Sequence, residues 1–213
     1  MSHDIVRTLS VGQAVEIQDA CRRQNITLTE LKMLTSGDNL RRSIAALNAA
    51  APFKRSSLLS LKQTVGVSGA DSFVAADHFK VDTSEKAKVK IAYLSTNFTT
   101  HFMSKREENV PAGELKVHTL LRSSVDRPII DELGASYKTY LADLWALLEK
   151  QPIGEEGSLL ADGWYNIFYL EDIDGHLWAV YAFWLAHDGG WHVFTYFVVI
   201  PDTWDAGNQV VSR

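Results

Sequence analysis

Residues 164–200 constrain the fold more than any other stretch. They read as three strands, 164–170, 177–186 and 191–200, separated by Asp174-Gly175 and Asp188-Gly189 and stopped by Pro201. Asp-Gly favours a tight hairpin because both central residues of a type I′ turn need φ > 0. The strands are rich in Tyr, Phe, Trp and Val, which suit a pleated, packed surface.

Two-residue loops at both turns would set Tyr169 opposite Val180, Ile167 opposite Ala182, Ala186 opposite Trp191 and Trp184 opposite Val193. One face then carries Tyr165, Ile167, Tyr169, Trp178, Val180, Trp184, Trp191, Val193, Phe197 and Val199. The other carries Trp164, Phe168, Leu170, Tyr181, Phe183, Leu185, Phe194, Tyr196 and Val198. A sheet with one wet face alternates with polar residues, and neither face does so here. Both faces are therefore expected to be covered, one by a helix and the other by more chain or a partner.

The helix for the first task is 136–151, whose stripe is Tyr137, Tyr140, Leu141, Leu144, Leu147 and Leu148. Residues 88–94 and 115–122 alternate as strands, 129–134 reads as a short helix, and 209–212 as a last edge strand. Residues 73–81 fit an extended segment or a short helix, and 97–105 a helix or a strand. The fold class is α+β: an N-terminal helical segment, then an antiparallel sheet with a C-terminal three-stranded meander, packed on a long helix.

Capping boxes at Ser10/Gln13 and Thr27/Glu30 open helices in the first 50 residues, with Ala14, Ile17 and Cys21, then Leu28, Leu31 and Leu34, then Leu40, Ile44 and Leu47 at helical spacing. Ser and Gly punctuate 53–72, which reads as a linker. The expected domains are 1–55 and 70–213. Residues 12–50 resemble a helix-turn-helix, which would bring Arg41 and Arg42 to DNA, with Arg22 and Arg23 on phosphates. Lys32 falls where such units place a small residue, and Gly37 falls one residue late. Residues 1–62 hold nine Lys/Arg against five Asp/Glu (9 − 5 = +4), and 151–213 hold one against nine (1 − 9 = −8). That asymmetry fits either a nucleic-acid-facing segment beside an acidic body or two separate solvated faces.

One cysteine, Cys21, excludes an intrachain disulfide. The start Met-Ser-His-Asp lacks the basic and apolar regions of a secretion signal, and no apolar run approaches a membrane span. A cytoplasmic protein, with no membrane contact, is expected.

The stretches 124–134 (SVDRPIIDELG) and 166–169 (NIFY), with Pro201 and Trp204 in a Pro-x-x-Trp, resemble a family of bacterial hypothetical proteins over 73–213. That family has no assigned activity, so the resemblance implies no functional residues. The turn at 188–191 (DGGW) is similar to one at the end of NTF2-like proteins, which implies a pocket between a curved sheet and helices.

Chemical motifs are sparse. His187, Asp188 and His192 flank one turn, and a Gly189-Gly190 loop would set the two histidines opposite each other, as metal ligands or as a solvated hairpin tip. His118, Ser123, Ser124 and Asp126 are the types of a nucleophilic triad, but nearness along the chain does not make one. There is no P-loop, G-x-G-x-x-G, H-E-x-x-H or G-x-S-x-G. Asn166, Tyr181, His192 and Tyr196 are polar members of an aromatic face, the pattern of a small-molecule site. Trp178, Trp184 and Trp191 form a stripe that is core, or a partner surface if helices leave it bare. No catalytic residue, metal or cofactor is expected. The reading is a non-enzymatic binding protein acting through its aromatic sheet on a protein partner or a second copy. DNA binding through 12–50 and a small-molecule or enzymatic pocket are the alternatives.

Overall fold

The computed structural model describes Thr27, Thr29, residues 57–198 and residues 203–213. The chain divides into two units, Met1–Arg55 and Ser56–Arg213. Apart from Thr27 and Thr29, the helix-turn-helix expected over 12–50, with Arg22, Arg23, Arg41 and Arg42, lies outside the described residues.

The second unit is mixed α and β, with a large, mostly antiparallel sheet and few helices. Its strands are β1 (Leu59–Val67), β2 (Ala70–Val74), β3 (Ile91–Leu94), β4 (Arg106–Val110), β5 (Gly113–Leu120), β6 (Asn166–Glu171), β7 (Leu177–Leu185), β8 (Gly190–Phe197) and β9 (Gln209–Ser212). The helices are α1 (Ala75–His78), α2 (Thr96–Phe102), α3 (Asp126–Leu133) and α4 (Leu141–Lys150). Seven strands form one sheet in the order β1-β5-β9-β6-β7-β8-β3, and β2 pairs with β4 separately. Two contacts are parallel, β3 with β8 and β6 with β9.

The meander is present, but its first turn has three residues, not two. Asp172 N donates to His176 O at 2.9 Å, and Gly175 takes φ 81°. A left-handed third residue is the usual way to close a three-residue hairpin loop. Tyr169 therefore faces Ala179, and Ile167 faces Tyr181. A one-residue slip turns a whole strand over. Phe168 and Leu170, not Ile167 and Tyr169, share the face of Trp178 and Val180.

The second turn slips by two. Trp184 faces Trp191 and Phe183 faces His192, across a loop of residues 186–189. An even shift preserves the faces, so Trp178, Trp184, Trp191, Val193 and Phe197 stay together. The Gly189-Gly190 loop that would have opposed His187 and His192 does not form.

Each face has its own core. On the first face Leu115, Val117, Phe168, Leu170, Trp178, Val180, Trp191 and Val193 pack with Leu141, Leu144, Leu147 and Leu148 of α4 and Phe98 and Phe102 of α2. Ser95 caps α2, its hydroxyl accepting from Phe98 N at 3.2 Å. Helix α4 begins at Leu141 rather than 136, because acids gather there. Glu107 of β4 accepts from Leu141 N and Ala142 N, both at 3.0 Å, and Asp143 from Tyr140 N at 2.9 Å. Negative charge at a helix N-terminus satisfies the free amides and opposes the dipole.

On the second face Ile167, Tyr169, Ala179, Tyr181 and Val210 pack with Ile129 and Ile130 of α3, Leu120 and Trp204. Two further expectations are corrected. The linker over 53–72 is largely β1 and β2, so the sheet unit includes residues before 70. Ser60 and Gly66 sit on strand β1 at the sheet margin and Ser68 and Gly69 in the turn after it, where outward positions tolerate them. The segment 209–212 is not an edge strand: β9 lies between β5 and β6 and is buried throughout.

Candidate binding face

The second face is covered only in part. Helix α3 and the segment around Trp204 lie over β9 and β6, while the β7-β8-β3 end keeps exposed rings. Tyr93 is 43 % exposed, Tyr196 42 % and Tyr165 36 %, with Phe183, His192 and Phe194 half-buried between them. Alternation places Phe183, His192, Phe194 and Tyr196 on this face, and the β3–β8 pairing brings Tyr93 beside His192.

The rings form one array. Tyr181 lies 5.5 Å from Tyr196 at 21° and 5.6 Å from Phe194 at 22°. Phe183 lies 5.2 Å from His192 at 28°, and Tyr93 lies 5.8 Å from His192 at 29°. Trp204 closes the covered end against Tyr181 at 5.2 Å, nearly perpendicular. Rings this close and this parallel lie over one another in offset stacks rather than side by side. The exposed Tyr165 is instead tilted, at 52° to Tyr181 and 59° to Phe183.

His192 is the polar member. Its Nε2 is buried and lies 2.7 Å from Asp188 Oδ2, close enough for an ion pair but off the direction of a hydrogen bond. Asp188 Oδ1 also lies 3.4 Å from His187 Nε2.

The residues singled out in the sequence separate into three groups. Tyr181, His192 and Tyr196 do share this face. Asn166 does not, because the slip at the first turn puts it on the first face. There its side chain is fully buried, accepting from Leu160 N at 2.8 Å and donating to Leu160 O and Ala182 O. It is a structural residue. Trp178 and Trp191 are buried in the first core, their indoles donating to Asp172 Oδ2 at 2.8 Å and Gln151 O at 2.9 Å. Trp184 packs over Gly154 and edge-on to Trp191 at 5.7 Å. The tryptophan stripe is core, not partner surface, because α2 and α4 do cover that face.

The triad elements disperse. Asp126 accepts from Tyr169 Oη and Trp204 Nε1 on the second face, and Ser123 and Ser124 bond locally around 204–206. His118 instead lies 3.2 Å from Ser212 Oγ. Burial, helped by Lys116 and opposed by Glu132, holds the His118 imidazole below its ordinary pKa.

A cleft of about 510 Å³ lies between the β1–β2 turn, α1 and α4, away from Asn166 and His192. His78 lines it, stacked on Phe73 at 4.3 Å and 2°. Burial lowers the His78 pKa, with Glu149 opposing. Glu149 also pairs with Lys88 and accepts from Trp145 Nε1.

Sequence reasoning missed two members of the aromatic face: Tyr165, expected on the Trp178 and Val180 face but lying beside Tyr181 and Phe183, and Tyr93. Its strand reaches β8 by a parallel crossover, which no local signal announces. Phe183 and Phe194 were visible as alternating members of the face. Among the described residues no helix is long and apolar enough to cross a membrane. Compared with models of known protein families, with curated proteins and with solved structures, the chain has no match.

Proposed function

We propose that this is a binding protein that engages a protein partner through the bare, aromatic end of its sheet, and that a second copy of the chain is the first partner to test. One observation carries the reading: Tyr93, Tyr165 and Tyr196 stay more than a third exposed in a continuous ring array, while β9 and nearly all of β6 are buried. Aromatic residues are enriched at protein interfaces and hold most of the energy there. Residues 151–213 are acidic, which disfavours a polyanion. Two sheet faces can instead pack about 10 Å apart with their side chains interdigitated.

The test is sedimentation velocity on the full chain over a concentration series, with Tyr93→Lys/Tyr196→Lys as the comparison. A concentration-dependent dimer that the double variant abolishes, at unchanged melting temperature, supports the reading. A monomer at all concentrations, with the same pulled-down proteins for both chains, overturns it.

A further inference from the structure

The turn between β6 and β7 gathers metal-ligating side chains from two distant parts of the chain. Oxygens of Asp172 and Asp174 and a ring nitrogen of His176 lie within 4.8 Å of one another. His101, from α2, adds a second imidazole: its Nδ1 lies 3.5 Å from Asp172 Oδ2, the same distance as His176 Nδ1 from that oxygen. Both contacts are longer than an N–H···O hydrogen bond of about 2.7–3.2 Å. They match the separation of two ligands on one tetrahedral ion, which is about 3.4 Å for bonds of about 2.0–2.1 Å.

Asp172 is held in one orientation by its hydrogen bonds. Its side chain is fully buried, and its Oδ1 accepts from Asp174 N at 2.9 Å and His176 N at 2.8 Å. Its Oδ2 accepts from the Trp178 indole at 2.8 Å. The backbone bonds account for the turn. They do not account for two imidazoles, 75 residues apart in sequence, turned on the one carboxylate oxygen that the backbone leaves free. Donors behind a ligating carboxylate commonly orient it and tune the metal. Lys105 Nζ donates to the Asp172 carbonyl at 3.3 Å rather than to its carboxylate.

We infer that Asp172, Asp174 and His176, with His101 beside them, form a site for a first-row divalent cation of the zinc or cobalt kind. Two carboxylates with imidazole suit these ions better than the all-oxygen sites of calcium or magnesium. The site lies on the turn and α2, apart from the aromatic face, and stands or falls independently of it.

The test is titration of the full chain with Co²⁺ at pH 7.5, followed by visible absorption, with Zn²⁺ displacement as the second readout. The expected result is saturable, tetrahedral-type absorption that Zn²⁺ removes. Asp174→Asn and His176→Gln should each weaken binding at least about tenfold. Both residues are exposed, so circular dichroism should show an intact fold, and His187→Gln should leave the affinity unchanged. No Co²⁺ or Zn²⁺ binding up to millimolar concentration overturns the inference. So does binding that survives the Asp174→Asn/His176→Gln double variant.

Discussion

The Tyr169 hydroxyl donates to Asp126 Oδ1 at 2.9 Å, across the core that joins β6 to α3. Trp204 Nε1 donates to the same oxygen at 2.6 Å, so one buried carboxylate ties a central strand, a helix and the C-terminal segment together. The pairing exists only because the three-residue turn points Tyr169 to this face. Burial, and then the Asp126 charge, push the Tyr169 phenol well above its ordinary pKa, so it remains a donor. Tyr169→Phe keeps the ring and removes the donor. It should destabilise the fold by about 1.5–3 kcal/mol, the range for a hydrogen bond to a charged group, measured as a lower urea midpoint at unchanged slope.

Arg213 ties the C-terminal residue to the start of α4. Its guanidinium clamps Asp143 with Nε at 2.8 Å and Nη2 at 2.6 Å, and Nη2 also donates to Pro111 O. Asp143 is 1 % exposed at the N-terminus of α4. Removing one partner of a buried pair leaves a charge without its counterion, which costs about 3–5 kcal/mol when both are buried. Arg213 is partly exposed, so Arg213→Ala should cost about 2–3 kcal/mol, scaled down from that range. Thermal unfolding checks this, and Arg213→Lys should recover only part because a lysine cannot make the two-pronged contact.

Acid should weaken the fold through two histidines. His78 and His118 both have pKa values held below 6.5 by burial in the folded chain. Below pH 6.5 the unfolded chain takes up these protons first, so stability is full above 6.5 and falls as pH drops toward the depressed values. Glu107 acts in the opposite sense. Burial raises its pKa above 4.5, against the Ala142 and Leu141 amides, so it costs stability as pH rises from 4.5 through its folded value. The contributions separate by mutation. Between pH 7.5 and 5.5 the loss of stability should be smaller in His118→Gln than in the parent, followed by urea unfolding at each pH. An equal loss in both chains would remove His118 from the account.

How much could be read in the sequence depended on whether an error was odd or even. The second turn was off by two residues, which leaves each side chain on its face, so the Trp184, Trp191 and Val193 face was legible. The first turn was off by one, which inverted β6 and sent Asn166 to the wrong face. Asp174-Gly175 signals a turn but not its length, and here Asp172 lengthens the loop by accepting from Asp174 N and His176 N. Strand β1 was hidden because Ser60, Lys62 and Gly66 on a sheet margin look like linker composition. The candidate face was half legible: Tyr181, His192 and Tyr196 follow from alternation, whereas Tyr93 arrives by a parallel pairing set by tertiary packing. The His101–Asp172 approach is likewise invisible along the chain.

Two glycines separate backbone strain from crowding. Gly175 takes φ 81° in the first turn, and a Cβ there would meet nothing within 4 Å. Gly154 takes φ 70° after α4, and a Cβ there would fall 2.1 Å from the Trp184 ring. Gly175→Ala should therefore cost only the left-handed penalty, about 1–2 kcal/mol. Gly154→Ala adds the displacement of a tryptophan that packs edge-on against Trp191, and overpacking costs about 1–3 kcal/mol more. The expected order of melting temperatures is parent, Gly175→Ala, Gly154→Ala. Trp184→Phe in the Gly154→Ala background should recover part of the loss, because the smaller ring makes room for the new methyl. The same change in the parent should be destabilising, since it removes packing from an unstrained site. Equal losses for the two glycine variants would mean that Trp184 does not rest on Gly154 in solution.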